Sequence, residues 1–97
     1  METNSSKLLE TLSVSLTRLV GSELSIGDFS QWFTNSRWEA VMAANSSLLH
    51  LGWDIQNILA EWMAFPELIS NDSVATQVHE AIEANGITLP VPVLTGR

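Results

Sequence analysis

Two histidines, His50 and His79, are the side chains of this chain that titrate near neutral pH, and each precedes a carboxylate by four residues: His50 before Asp54, His79 before Glu83. Four residues is about one helical turn, so each pair shares a helix face and could begin a metal site or form a surface pair. Two ligands are half of a zinc site. Neither pair has nearby the third and fourth ligands that recognisable zinc motifs supply, so surface pairing is the reading, and neither a metal nor a cofactor is expected. Cysteine is absent, which removes thiolate sites, disulfides and cysteine nucleophiles. No serine stands in a Gly-x-Ser-x-Gly turn, and Gly21, Gly27, Gly52, Gly86 and Gly96 are scattered rather than gathered into a phosphate loop. Paired carboxylates for glycoside chemistry need a cleft between them, for which a chain this short has little volume. No catalytic role is expected.

Charge carries more information once it is divided by position. The chain has four basic and eleven acidic residues, a net charge of −7, which opposes any binding driven by neutralising nucleic-acid phosphates. Residues 1–37 are nearly balanced, with Glu2, Glu10, Glu23 and Asp28 against Lys7, Arg18 and Arg37. From residue 38 to residue 96 there are seven acids and no base: Glu39, Asp54, Glu61, Glu67, Asp72, Glu80 and Glu83. Such a stretch is either a solvating surface or one complementary to something cationic. An acidic face without counter-charges accelerates encounter with a basic protein, such as the nucleic-acid groove of a nuclease.

The elements that must carry these residues read as helices. Ninety-seven residues make one domain, spanning 1–97, and 45% hydrophobic residues with four tryptophans are enough for a core. Its helical core is expected over 6–86, with an extended tail over 87–97 where Pro90 and Pro92 forbid a helix. Ser5 or Ser6 caps a first helix carrying Leu8, Leu12, Leu16 and Val20, stopped at Gly21. Ser25-Ile26-Gly27-Asp28 imitates a capping box ahead of Phe29, Trp32 and Phe33, and Ser36-Arg37-Trp38-Glu39 is a full box opening a turn or two of helix. After Asn45-Ser46-Ser47 comes the strongest element, Leu48 to about Phe65, ended by Pro66.

At roughly 100° per residue, this fourth helix puts Leu48, Gly52, Ile55, Leu59 and Met63 on one line, with Leu51, Ile58 and Trp62 on one flank and Leu49, Trp53 and Ala60 on the other. So wide an apolar arc predicts a central helix packed on two sides. Its one polar stripe is His50, Asp54, Asn57 and Glu61, within about 40° of a single line. Asn71-Asp72-Ser73 is expected to cap a last helix bearing Val74, Val78 and Ile82, stopped by Asn85-Gly86. The fold class is therefore all-α, a small bundle of four to five helices around a central apolar helix. Met1-Glu2-Thr3-Asn4 lacks a basic leader, and no apolar run approaches the ~20 residues that span a bilayer, so a cytoplasmic location without membrane contact is expected.

Leu24-Ser25-Ile26-Gly27-Asp28-Phe29-Ser30-Gln31-Trp32-Phe33, followed by Leu51-Gly52-Trp53-Asp54-Ile55 and Leu59-Ala60-Glu61-Trp62, resembles small helical bacterial proteins related to colicin D immunity proteins. In those, a short Ile-Ser-x-x-Glu-Phe helix start precedes a central helix ending in an acid; here Asp28 stands for the Glu, and the likeness covers residues 7–65. The resemblance implies an acidic protein that occludes the active site of a cationic nuclease toxin, with Asp54 and Glu61 as contacts. The expected function is accordingly a non-enzymatic inhibitor of a basic protein, its partner-binding residues Asp54, Asn57, Glu61, His50, Glu67, Trp38 and Trp53. The two tryptophans are included because four are many for so small an interior. The same charge suits a phage-encoded anti-CRISPR inhibitor set against the nucleic-acid groove of an effector subunit. A different class, a helical homo-oligomer such as a homodimer, would complete the apolar arc with a second copy.

Overall fold

Short polar side chains begin three of the helices. In the computed structural model, which describes residues 4–89, five helices follow one another among those residues, and none forms a strand: α1 (Asn4–Val20), α2 (Ile26–Asn35), α3 (Trp38–Val41), α4 (Ser46–Ala64) and α5 (Asn71–Ala84). The fold is all-α. At the start of α2 the Ser25 hydroxyl accepts from the Asp28 N–H at 3.0 Å, and at the start of α4 the Asn45 side-chain oxygen accepts from the Leu48 N–H at 3.0 Å. Each bond satisfies a donor that has no partner inside its helix and is worth about 1 kcal/mol.

The cap of α5 is Ser70, whose hydroxyl accepts from Ser73 N–H at 3.1 Å, rather than the expected Asn71-Asp72-Ser73. Asn71 is occupied elsewhere. Its Nδ2 donates to the carbonyls of Leu19 at 3.3 Å and Leu24 at 3.1 Å, which ties the turn between α1 and α2 to the beginning of α5.

Helix ends separate the two glycine stops proposed from sequence. α5 closes as expected: Gly86 takes a left-handed φ of 69°, its N–H donates to Glu83 O at 3.0 Å, and Ile87 N–H donates to Ile82 O at 3.1 Å. α1 closes with the same bond pattern, Ser22 N–H to Leu19 O and Glu23 N–H to Arg18 O, but one residue later than expected. The left-handed position there falls on Ser22, with φ 62°, and not on Gly21. The expected Ser36-Glu39 capping box is also corrected. Ser36 terminates α2, its hydroxyl donating back to Phe33 O at 2.6 Å, and the residue preceding α3 is Arg37 in a left-handed conformation with no side-chain cap. Arg37 occupies the N-cap position of α3, so Ser36 stands one residue too early to cap that helix.

The core is shared among all five helices, to which the single-turn α3 contributes Trp38. Leu12, Leu16, Leu19, Phe29, Leu51, Ile55, Val74 and Val78 are fully buried. α4 packs against α3 and α5, and α5 also packs against α1. The four-residue repeats of α1 and α5 are thus the core seams that were expected, while the apolar arc of α4 is narrower than predicted. Met63, placed on the Leu48–Ile55–Leu59 line, is exposed, as is Ala60. At this end of α4 it is Trp62 that lies beside α2, at Gly27, and Met63 next to it is left in solvent. The buried Ser13 satisfies its hydroxyl on its own helix, donating to Leu9 O at 3.1 Å.

Among the described residues no helix is long and apolar enough to cross a membrane. Ile87 and Leu89 pack against the core, while the remainder of the expected tail, residues 90–97 with both its prolines, lies outside the described residues. A left-handed φ at a β-carbon-bearing residue costs about 1 kcal/mol, so Ser22→Gly should stabilise the chain by ~0.5–1 kcal/mol and raise its Tm by a few degrees. Thermal unfolding followed by far-UV circular dichroism measures this, and an unchanged or lower Tm would mean that Ser22 carries no strain.

Candidate functional site

The polar stripe of α4 is divided between two neighbours. Asp54, Asn57 and Glu61 line a groove of about 440 Å³ whose other wall is α5, which contributes Gln77 and Glu80. Ile58, Ala81 and Ala84 are its apolar lining, and among the described residues no lysine, arginine or histidine lines it. α5 can lie close enough to shape this groove because its facing residues are alanines, while Val74, Val78 and Ile82 turn inward. Three carboxylates and two amides therefore surround one open apolar strip.

Asp54 has a neutral partner. The Asn85 side chain at the end of α5 donates from Nδ2 to Asp54 Oδ2 at 3.1 Å and to Ala81 O at 2.8 Å. Both acceptors lack hydrogens, which fixes the amide with its nitrogen toward them. The expected pairing of His50 with Asp54 does not form. His50 stacks instead on the Trp53 indole, with centroids 5.0 Å apart and planes inclined by 30°. The second pair does approach: His79 Nδ1 lies 3.9 Å from Glu83 Oε2, among exposed side chains where such contacts contribute little.

Trp53 is 43% exposed and donates its indole N–H to Glu39 Oε2 at 2.9 Å, so it lies on the side of α4 that faces α3. His50, Trp53 and Glu39 make a second cluster beside the groove. Glu67 is not part of either, standing in the exposed turn after α4. Trp38, expected at a contact surface, is corrected to a core residue: it is 2% exposed, its ring packs 5.5 Å from that of Phe33, and its Nε1 donates to Leu48 O at 2.8 Å. The space it fills exists because position 52 is glycine. A β-carbon on Gly52 would overlap the Trp38 indole, lying 2.8 Å from Nε1.

Sequence reasoning missed Glu80 and Gln77 of α5 and Asn85 just after it as parts of the site, and Glu39 as the Trp53 partner. A signal existed for the first two, since Gln77, Glu80 and Ala84 recur at helical spacing on the side of α5 away from Val74 and Val78. Among the described residues no three His, Asp or Glu side chains converge as a metal ion would require.

Alanine favours helix interiors over glycine by about 1 kcal/mol, so on propensity alone Gly52→Ala would stabilise α4. The clash with Trp38 reverses the sign, and the exchange should cost ~1–3 kcal/mol in urea unfolding. In a Trp38→Leu background the same Gly52→Ala exchange should become neutral or stabilising. Equal effects of Gly52→Ala in both backgrounds would show that the two residues are not coupled. Comparison of the chain with protein-family models, with curated proteins and with solved structures finds no match.

Proposed function

We propose that this protein is a non-enzymatic inhibitor that seats the α4–α5 groove on a cationic protein surface, of the kind a nuclease toxin uses to hold nucleic acid. The observation that carries the proposal is the lining of that groove: Asp54, Glu61 and Glu80 with no base beside them among the described residues. A long basic side chain matches it in both halves of its chemistry. The methylene stem of a lysine or arginine would lie on Ile58, Ala81 and Ala84, and its charged head would meet the carboxylates. Asn57 and Gln77 supply amide oxygens to the same donors. The remaining acids of residues 38–89 add to the net negative charge of the chain, which favours rapid, salt-sensitive encounter. Trp53, half exposed at the side of the stripe, is the aromatic group best placed to anchor the rim of such a contact.

A second reading is assembly with further copies of the same chain, favoured by the exposure of Met63, Phe65 and Leu68 around the end of α4. The two readings use different surfaces. Charge reversal tests the first: Glu61→Lys with Glu80→Lys should lower affinity for a lysine-rich peptide, and for any basic protein captured and identified, by roughly tenfold or more at low salt. The matched control, Glu10→Lys with Glu23→Lys, changes net charge equally away from the groove and should retain most of the binding. Equal loss in both double variants would leave only a diffuse charge effect, and retention in the groove variant would remove the groove from the account. Light scattering tests the second reading, in which mass should rise with concentration and fall back on Leu68→Lys.

A further inference from the structure

The Asn85–Gly86 pair at the end of α5 holds a reactive sequence in a conformation that withholds its reaction. A glycine leaves the backbone nitrogen after an asparagine unhindered. That nitrogen can attack the asparagine Cγ, forming a C–N bond while the Cγ–Nδ2 bond breaks and ammonia leaves with the displaced proton. Water then opens the five-membered imide at either carbonyl, giving aspartate or isoaspartate. Here both reacting groups are engaged. The Gly86 N–H donates to Glu83 O at 3.0 Å, and the Asn85 amide is bound to Asp54 Oδ2 at 3.1 Å and to Ala81 O at 2.8 Å. Asn85 itself, with φ −90° and ψ 4°, has left the helical path but keeps its own N–H on Ala81 O at 3.1 Å.

We infer that Asn85 is a deamidation site gated by the end of α5, whose conversion to aspartate or isoaspartate irreversibly breaks the latch between α5 and α4. The last turn must open before Gly86 N reaches Cγ, so reaction tracks that local opening. The product cannot re-form the latch. Aspartate at 85 has no N–H to give, and it places a carboxylate opposite Asp54 and the Ala81 carbonyl, both acceptors that now repel it. It also adds negative charge at the negative end of the helix dipole. Isoaspartate goes further. It lengthens the backbone by one methylene between residues 85 and 86, where the bonds Gly86 N–H to Glu83 O and Ile87 N–H to Ile82 O require close register. Ile87 would then lose its place against the core. This inference stands independently of what the groove binds, since it concerns only the bond between Asn85 and Asp54.

The test follows residue 85 in the full chain held at 37 °C and mildly alkaline pH, with and without urea. Cleavage after glutamate yields the segment following Glu83, in which deamidation adds about one mass unit and isoaspartate is detected by enzymatic methylation. Folded chain should react at least roughly tenfold more slowly than urea-unfolded chain, and equal rates would overturn the gating. Asn85→Asp should lower Tm by about 5–10 °C. Asn85→Ala, which removes the bond without adding repulsion, should fall between it and the wild type. The exchange Asp54→Asn with Asn85→Asp puts a donor back opposite the new carboxylate and should recover at least half of the loss. An Asn85→Asp chain as stable as the wild type, or no recovery in the exchanged pair, would show that no latch exists to be broken.

Discussion

The packing of the Trp38 indole on the bare backbone of Gly52 is the contact on which the middle of this molecule depends. α3 is four residues long, preceded by a left-handed Arg37 without a cap, and a single turn of helix has no cooperativity of its own to hold it. What holds it is burial. An indole removes roughly 150–250 Å² from water, which at ~25 cal/mol per Å² is about 4–6 kcal/mol, and its N–H to Leu48 O contributes about 1 kcal/mol more. Against this stands the ~1 kcal/mol that a glycine costs the interior of α4. The comparison explains why a poor helix former occupies the centre of the longest helix. With Trp38 fixed, Glu39 on the next position reaches the Trp53 indole, and the position of one tryptophan determines the surroundings of the other.

The electrostatic character of the α4–α5 groove follows from which group was placed opposite Asp54. A lysine or arginine there would have oriented the carboxylate equally well while cancelling its charge. Asn85 orients it and leaves the charge intact, so Asp54 still adds to Glu61 and Glu80. The mutual repulsion of such acids is about 1 kcal/mol or less per pair in water and is screened within about a Debye length of 8–10 Å in physiological salt. That cost is small beside the core. The fold can therefore sustain an unrelieved acidic groove, which a marginal core could not if the carboxylates were buried.

How much of this was legible in the sequence depended on how local the determining interaction was. The core seams of α1 and α5, the end of α5 at Asn85-Gly86 and the start of α2 at Ser25 rest on residues within a turn or two of one another, and their spacing displays them. Ser36-x-x-Glu39 has the same spacing as a working cap and is not one, because the reversal at Arg37 and the burial of Trp38 are decided by α4, ten or more residues on. Ser22 took the left-handed position although Gly21 was adjacent, since α1 runs one residue further than its glycine suggests. Burial of Trp38 was not legible for the same reason: nothing within a turn of it marks it as buried, and the space that admits it is opened by Gly52, fourteen residues on.

The candidate site was legible by halves, and the missing half explains its shape. Asp54, Asn57 and Glu61 lie on one stripe that any helical wheel displays, but His50 belongs to the same stripe and leaves it, because the neighbours of α4 differ along its length. On one side α5 brings alanines, which leave room for a groove, and acids, which charge it. On the other, α3 brings Trp38 to close the space and Glu39 to hold Trp53 at the surface, where His50 stacks on it. A stripe uniform in sequence thus becomes an acidic groove beside an aromatic edge. Any surface that covered both would meet carboxylates and a half-exposed indole together, a pairing in which charge governs the approach and apolar contact governs the dwell time. Neither property belongs to α4 alone, for each is conferred by the helix packed on that side.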